Sequence, residues 1–318
     1  MNSELSNKIK AEAQSLGFYA CGIAKADAVD NETATRYKEW IAQGKNGEMA
    51  YLNNYTDKRL DPRLLMTGLK SIVCVALNYA PAERMPDDEY QLAAYAYGQD
   101  YHDIVKNKLR QLAARFGFEC LDVKGSHADD GNVHYRAFCD SAPVLERYWA
   151  VQAGIGWKGK SQQLIIPQAG TMFVLGELFL DIELEYDQPM KNRCGRCHRC
   201  IDACPTQALK EGEGMDARRC LSYLTIENRG DITPEVAAKM GNTIYGCDRC
   251  QLACPWNHFA QPNHTPELQP RPELMNMTKE KWQNLTEEEY RALFRGSAVK
   301  RAKYSGLMRN IHAVEKKE

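Results

Sequence analysis

The stretch that decides the fold reads Cys194-Gly-Arg-Cys197-His-Arg-Cys200-Ile-Asp-Ala-Cys204-Pro205. Three cysteines stand at successive two-residue spacings, and a fourth follows three residues later, directly before a proline. Such tight spacings let three thiolates converge on one face of a cubane, whereas the fourth points elsewhere because the chain turns at the proline. The spacing therefore predicts a 4Fe-4S cluster.

A second run with the same ending lies downstream, at Cys247-x2-Cys250-x3-Cys254-Pro255. It lacks a local first cysteine, which Cys220 would replace. In two-cluster ferredoxins the last cysteine of each run ligates the other cluster. The chain is thus predicted to carry a bacterial-ferredoxin-like double 4Fe-4S module. Its first cluster would take Cys194, Cys197, Cys200 and Cys254, and its second would take Cys204, Cys220, Cys247 and Cys250.

Structural zinc is the alternative, since Cys-x2-Cys pairs also bind zinc. Three successive two-residue spacings followed by Cys-Pro are uncommon at zinc sites, and the Cys-Pro ending occurs twice here. The pattern therefore favours iron and sulfide. Because eight cysteines fill two cubanes, His198 is interpreted as a solvated loop residue. The four remaining cysteines are interpreted as small buried hydrophobic residues; they are Cys21, Cys74, Cys120 and Cys139.

Bulk composition narrows the class of protein. The 318 residues include 41 basic and 42 acidic ones, so the net charge of -1 predicts neither a nucleic-acid nor a membrane partner, and any polyanion site must be a local patch. No apolar run approaches the roughly 20 residues that span a bilayer, and the first residues do not resemble a signal peptide. We therefore expect a cytoplasmic protein, in which disulfides do not persist and twelve cysteines fit metal ligation.

The uneven distribution of cysteines predicts three segments, at residues 1–187, 188–262 and 263–318. In the first, helical and strand signals alternate, which predicts a mixed α/β cofactor domain. We expect helices along 5–16 and 104–116, a helix from about Pro143, strands at 71–77 and 118–123, and a β-hairpin through Gln168-Ala-Gly170. The last segment is predicted to be helical and basic: Thr286 and Glu289 form a capping box, and residues 290–314 hold six basic residues and no acidic one.

Two clusters move one electron at a time, so they imply a second redox centre or a substrate in the first segment. No Gly-x-Gly-x-x-Gly or Walker-type run stands between a predicted strand and a following helix, which disfavours classical dinucleotide and P-loop sites. The glycine-rich run 154–161 has the residue spacing of a phosphate loop, but its predicted helix precedes it, so a turn before the hairpin is the alternative.

Several longer motifs together resemble the epoxyqueuosine reductase family. They are Asp61-Pro-Arg63, Tyr95-Ala-Tyr-Gly98-Gln-Asp100-Tyr101-His102, Phe138-Cys-Asp140-Ser-Ala-Pro143-Val-Leu-Glu146-Arg147, Gly154-Ile-Gly-Trp-Lys-Gly-Lys160, Cys220-Leu-Ser222-Tyr-Leu-Thr-Ile-Glu227, and Gly296-Ser-Ala-Val-Lys300-Arg301 with Arg309-Asn310. The resemblance implies a cobalamin-dependent, two-cluster enzyme whose core is related to reductive dehalogenases. Its reaction is reduction of epoxyqueuosine to queuosine at the first anticodon (wobble) position of tRNA, the last step of queuosine biosynthesis.

The same resemblance implies an α+β fold with a nitroreductase-like cobalamin-binding domain, and it places the general acid at Asp140. A carboxyl group serves as this acid if its pKa is raised by burial or by a neighbouring negative charge. Locally, Asp140 or Ser141 is also a candidate helix cap. The Asp-x-His-x-x-Gly motif is absent at Asp100-Tyr-His102, which agrees with base-off cobalamin. The cofactor-binding candidates are Arg63, Tyr101, His102, Asp140, Trp157, Lys158, Ser161 and Ser222, with core packing or surface ion pairs as their alternatives.

The basic tail supplies the local patch that net charge does not. It would neutralise phosphates of an anticodon stem-loop, with a solvated surface as the alternative. The tRNA-binding candidates are Arg295, Lys300, Arg301, Lys303 and Arg309. Longer family members append HEAT-like repeats, which this sequence does not include, so we expect binding to tRNA that is weaker or that relies on the core alone.

The resemblance further implies a monomer that receives electrons from a ferredoxin- or flavodoxin-type donor. Two other functions stay open at this point. One is a cobalamin and iron-sulfur reductase of a small molecule, similar to the dehalogenases. The other is an electron-carrier protein whose large domain only docks partners.

Overall fold

The computed structural model describes residues 2–121 and 131–316. The described helices are α1 (Ser3–Ser15), α2 (Asn31–Ala42), α3 (Thr56–Leu60), α4 (Tyr101–Arg115), α5 (Glu146–Gln152), α6 (Arg199–Asp202), α7 (Leu221–Ile226), α8 (Pro234–Met240), α9 (Arg249–Leu252), α10 (Pro272–Met275), α11 (Lys279–Gln283), α12 (Glu287–Leu293) and α13 (Lys303–Glu315). The described strands are β1 (Ala20–Lys25), β2 (Ser71–Asn78), β3 (Gln91–Leu92), β4 (Glu119–Cys120), β5 (His134–Phe138), β6 (Trp157–Lys158), β7 (Leu164–Ile165), β8 (Phe173–Leu180), β9 (Leu209–Lys210), β10 (Gly214–Met215) and β11 (Thr243–Tyr245).

A five-stranded mixed sheet forms the centre of the molecule, in the order β1-β2-β8-β5-β4. All its pairs are antiparallel except the parallel pair β4–β5. Residues 71–77 are fully buried, so the predicted strand there is confirmed. A strand covered on both faces reads as a continuous apolar run because neither face meets water.

Helices cover both faces of this sheet. The predicted stripes of α1 and α4 are confirmed, since Ile9 and Ala13 of α1 and Leu109 of α4 are fully buried in one large core. Helix α5 packs on the other face, in a second core that contains Trp149. There a Cβ on Gly22 would stand 2.0 Å from a main-chain oxygen of the α5 end, so only glycine permits this close approach.

Of the predicted local structures, the hairpin is wrong and the strand at 118–123 is confirmed in part. The hairpin does not form: β7 pairs with β6, and β8 pairs with β2 and β5, so a single bridge, Ile166 to Gly170, joins the two runs. Asn257 binds the main chain at Thr171 and redirects the chain after this tight turn. The predicted strand 118–123 is reduced to Glu119–Cys120, and its last two residues lie outside the described residues.

The helix predicted to start near Pro143 begins instead at Glu146, with Leu145 as its N-cap and no capping side chain. Proline disfavours helical conformation in the residue before it. Here two further residues, Val144 and Leu145, follow Pro143 before the helix begins. Because Asp140 and Ser141 stand well before this start, neither caps the helix.

The three predicted segments share the large core. The short strand β3 of the first segment pairs with β11 between the cysteine runs, and α13 packs against β11, α7 and α8. The capping box of Thr286 and Glu289 is confirmed at the start of α12. Of the helices in the described part of the chain, none is both long enough and apolar enough to cross a membrane.

Candidate functional site

The thiols of the two cysteine runs fall into two groups. Burial raises the pKa of Cys200, and the nearby thiols of Cys254 and Cys194 raise it further. Burial also raises the pKa of Cys254, where Cys194 and Cys197 act in the same direction. Thiols influence one another in this way only over short distances, so these four lie together. They include Cys254, which is 54 residues or more from the other three in the sequence.

The second group contains Cys204, Cys220, Cys247 and Cys250. Burial raises the pKa of Cys220, with Cys204 as its thiol neighbour. It also raises the pKa of Cys247 to about 11, with a contribution from Cys220. Cys250 has Cys247, Cys220 and also Cys200 of the first group as neighbours. The two groups therefore adjoin each other.

Each thiol group offers the four thiolates that one 4Fe-4S cluster takes, which matches the spacing of the cysteine runs. Main-chain N–H groups also point at the sulfur atoms, as Ala208 does at 3.3 Å from Cys204 Sγ. Such donors stabilise the charge of a ligating thiolate.

Asp140 stands at the centre of a second group of polar side chains. It follows β5 in the left-handed region, at φ 51°, which is unusual for a residue other than glycine. The Tyr101 hydroxyl donates to Asp140 Oδ2 at 2.5 Å, and His102 Nε2 lies 3.6 Å from the same oxygen. The other ring nitrogen of His102 is 2.6 Å from Asp100 Oδ1. One imidazole therefore bridges two carboxylates.

The electrostatics of this group correct the expectation that the pKa of Asp140 is raised. Burial alone would raise it, but the contacts with His102 and Tyr101 outweigh burial and lower the pKa. Burial likewise opposes the charged form of His102, yet its contacts with Asp100 and Asp140 raise the pKa of His102 to about 9. At neutral pH the proton of the pair therefore resides on the imidazole.

Two further acids adjoin Asp140, and sequence reasoning gave them no role. Glu146 accepts the main-chain N–H of Asp140, and Glu177 on β8 is fully buried. The motif around Glu146 offered a signal, because a carboxylate six residues after Asp140 is close enough to reach back to it. Glu177 offered none, since it stands inside an apolar strand and only the pairing of β5 with β8 brings it near.

Tyr51 was also missed. It lies in the short 3-10 turn Ala50–Leu52, and its ring is 45% exposed. Burial raises its pKa to about 12, and the charges of Glu227 and Asp140 contribute. The Arg301 guanidinium lies 5.6 Å above the ring. An exposed aromatic ring thus borders the Asp140 group, 89 residues before it in the sequence.

The remaining cofactor candidates divide into two places. Trp157 is buried against Trp256 and Cys254, and its indole N–H has no partner among the described residues. Lys158, the next residue, has its pKa lowered by burial and then by Arg36 and Arg147. The charge of Arg147 acts on both Lys158 and Asp140, and Trp157 packs against Cys254 of the first cysteine group. A buried donor without a partner among the described residues, next to an exposed lysine, fits a polar cofactor such as cobalamin.

Ser161 is buried near this strand, and Ser222 follows Cys220 at the start of α7. Arg63 lies apart from Asp140: its guanidinium forms ion pairs with Asp61 at 2.8 Å and Asp27 at 3.0 Å. This arrangement matches the surface ion pair that was its alternative.

The basic candidates of the C-terminal segment differ in whether their side chains are free to bind phosphate. Within the described residues, the side chains of Arg295, Lys300 and Lys303 are exposed and make no ion pair. Arg301 is paired with Glu227 at 2.8 Å. Arg309 departs from the prediction, because its guanidinium donates to three main-chain oxygens, those of Asn228, Gly230 and Leu224. Its donors stabilise the fold and are not free for phosphate.

Comparisons with known proteins agree with this geometry. Residues 193–257 match the 4Fe-4S double cluster binding domain, and residues 59–141 match the family described as epoxyqueuosine reductase QueG, DUF1730. A curated epoxyqueuosine reductase of Cellulophaga algicola is 44% identical, over 96% of each chain. That of Leadbetterella byssophila is 45% identical, over 98% of this chain and 99% of its own. The Pseudomonas aeruginosa enzyme is 38% identical, over 97% of this chain and 84% of its own.

Solved structures give the same result. An epoxyqueuosine reductase crystallised with a tRNA-Tyr epoxyqueuosine-modified tRNA stem loop superposes with a TM-score of 0.85 at 29% identity, over 98% of this chain and 80% of that one. The Bacillus subtilis enzyme, with an aspartate-bearing catalytic loop swung out of the active site, has a TM-score of 0.83 at 29% identity, over 98% and 81% of the two chains. By its sequence over nearly the whole length and by its α+β fold, the chain belongs to the epoxyqueuosine reductase family.

Proposed function

We propose that this protein reduces epoxyqueuosine to queuosine in tRNA. The observation that carries the proposal is the bridge from Asp100 through His102 to Asp140, found in a chain that matches epoxyqueuosine reductases along its full length. An electron carrier would not need a proton-bearing acid group of this kind.

The metal ligands of this proposal are the two thiol groups. The first cluster takes Cys194, Cys197, Cys200 and Cys254, and the second takes Cys204, Cys220, Cys247 and Cys250. The grouping of thiols by their mutual effects supports this division. Both clusters would lie in segment 188–262, and the electrostatic effect of Cys200 on Cys250 supports electron transfer between two neighbouring clusters.

Cobalamin, held base-off, would bind beside Asp140 within segment 1–187, with Ser222 contributing from beyond it. Tyr101, His102, Asp140, Trp157, Lys158, Ser161 and Ser222 would line its site. The unpaired indole N–H of Trp157 is suited to an amide oxygen of the corrin periphery. Arg63 takes no part in this proposal, because two carboxylates already hold its guanidinium.

The reaction removes the epoxide oxygen: two C–O bonds break, a C=C bond forms, and the oxygen takes up two electrons and two protons and leaves as water. The chemistry that bound cobalamin supplies is electron delivery to the epoxide carbon. His102 would transfer its proton to the Asp140 carboxylate, and Asp140 would pass this proton to the epoxide oxygen. Tyr101 orients the acid through its 2.5 Å hydrogen bond.

The anticodon loop would enter past Tyr51, whose exposed ring is suited to stacking on a base. The unpaired cations Arg295, Lys300 and Lys303 of segment 263–318 would neutralise phosphates. We further propose a cytoplasmic protein, because its tRNA substrate is in the cytoplasm, and a monomer, as the family resemblance implies. Its electron donor would be a ferredoxin or flavodoxin.

The test is anaerobic reconstitution with iron, sulfide and cobalamin, followed by incubation with epoxyqueuosine-containing tRNA, a chemical reductant and nucleoside analysis. We expect conversion to queuosine by the wild type and none by Asp140→Ala. Absence of conversion by a protein that has bound both clusters and cobalamin would refute the proposed function.

A further inference from the structure

A buried carboxyl group without a hydrogen bond lies behind Asp140. Glu177 of β8 pairs with Phe138 of β5, two residues before Asp140. Its side chain is fully buried, and within the described residues neither carboxyl oxygen has a hydrogen-bond partner. An ionised carboxylate at this place would carry a large desolvation cost. Burial, with the charges of Glu146 and Asp140, accordingly raises the pKa of Glu177 well above its ordinary value, so the group is a neutral acid.

Glu146 adjoins Asp140, and its charge acts on Glu177. It is the first residue of α5, is half-buried, and accepts the main-chain N–H of Asp140 through Oε1. Burial raises its pKa to about 8, and the charge of Asp140 contributes. Neighbouring carboxyl groups resist ionising together, so this pair retains protons at neutral pH. Glu146 and Glu177 are thus two protonated carboxyl groups that lie on the interior side of the loop that carries Asp140.

In the part of the chain that the structure describes, no positively charged group acts on Glu177. The titratable and charged groups that act on the two acids are Cys74 of β2, Cys139 and Asp140 of the loop, Arg147 of α5 and His102 of α4. Of these, Arg147 and His102 lower the pKa of Glu146, and neither is among the groups that act on Glu177. Glu146 is therefore the member that releases a proton, and Glu177 is the member that stays neutral.

The proposed reaction consumes two protons per epoxide, whereas the His102–Asp140 pair carries one. We propose that Glu146 supplies the second proton, which passes to the Asp140 carboxylate after the first transfer. Glu177 stays neutral and becomes a hydrogen-bond donor to the carboxylate left on Glu146, and solvent restores the proton of Glu146 after water leaves. The main-chain N–H of Asp140 already donates to Glu146, so the two residues adjoin before the transfer. This inference rests on the proposed function.

The test compares Glu146→Gln with Glu146→Ala in the reconstituted enzyme by single-turnover conversion from pH 6 to 10. Glutamine keeps an oxygen for the Asp140 N–H but has no proton to give. We expect Glu146→Gln to be at least tenfold slower at neutral pH. Its pH–rate profile should also lose the change of slope near pH 8, called here the break, that the titration of Glu146 gives the wild type. Glu183→Gln, an exposed acid just beyond β8, is the matched control and keeps the wild-type profile. Cluster absorbance and cobalamin binding verify that each variant is folded.

A second pair of variants tests Glu177. In Glu177→Leu the break moves to higher pH, because the Glu146 carboxylate has lost its donor, whereas Glu177→Gln keeps an N–H donor and a break near that of the wild type. Infrared titration of the cobalamin-free protein adds a readout that needs no turnover: we expect a protonated-carboxyl band that titrates near pH 8 and is lost in Glu146→Gln.

The outcomes separate the two proposals. A Glu146→Gln variant with the wild-type rate and profile, beside a slow Glu146→Ala, means that Glu146 only anchors the loop, and the second-proton proposal is overturned. That proposal is likewise overturned if Glu177→Leu leaves the break unmoved or if the infrared band is absent. Failure of the wild type itself to convert the tRNA overturns the proposed function instead.

Discussion

The bridging imidazole makes a prediction about stability that needs no substrate. Replacing His102 by glutamine removes a cation whose pKa rises from 6.5 to about 9 on folding. Each unit of pKa corresponds to about 1.4 kcal/mol, which gives about 3 kcal/mol. The Asp140 carboxyl is 58% exposed, so solvent screening reduces the expected value to about 2 kcal/mol.

The sign follows from the direction of the shift. Because the folded pKa is the higher one, the stabilisation is fully present below pH 6.5 and is lost as the pH rises through 9. A chain of 318 residues gains about 0.7 kcal/mol/K of entropy on unfolding, so 2 kcal/mol corresponds to a Tm difference of about 3 °C.

The assay is anaerobic thermal denaturation of the cluster-loaded protein at pH 6 and pH 10. We expect the Tm gap between wild type and His102→Gln to be about 3 °C larger at pH 6 than at pH 10. The matched control is His312→Gln, at an exposed histidine of α13, whose gap should not depend on pH. A His102→Gln gap that is equal at both pH values would refute the assignment of the proton to the imidazole.

Three other predictions concern the sites. Asp140→Asn should lower the single-turnover rate by about 10²- to 10⁴-fold while cobalamin and both clusters stay bound, and an unchanged rate would exclude it as the acid. Cys254→Ser should lose much of one cluster's iron, whereas Cys74→Ser, at a buried cysteine of β2, should keep the full iron content. Lys300→Met should reduce the salt dependence of tRNA binding by about one unit of slope; Arg309→Met should lower the Tm instead, because it removes hydrogen bonds to three main-chain oxygens.

The limits of local sequence patterns are visible in the region between 140 and 180. The turn at Gln168 and the two apolar runs beside it are typical of a hairpin, yet β8 is drawn into the central sheet between β2 and β5. The same apolar residues bury more surface against two long strands than against one short partner. A hairpin pattern records which residues are extended, but it does not record which strands they meet.

For the cysteines, spacing alone determined the chemistry, because ligand geometry is local to a run of about ten residues. The buried strand 71–77 and the helical stripes of α1 and α4 were likewise readable, since burial on one or both faces leaves a periodic trace. The resemblance of longer motifs to one family led to Asp140. The sequence did not show which groups carry protons.

That property depends on contacts between residues far apart in the chain. The tertiary structure decided that His102 would bridge Asp100 and Asp140, that Glu177 would lie buried behind the loop, and that Arg309 would bind main-chain oxygens. A pKa is set by desolvation and by charges within a few ångströms, and neither quantity exists until the chain has folded. The sequence determined which types of residue are present at this site, whereas the packing of β5, β8, α4 and α5 decided their charge states.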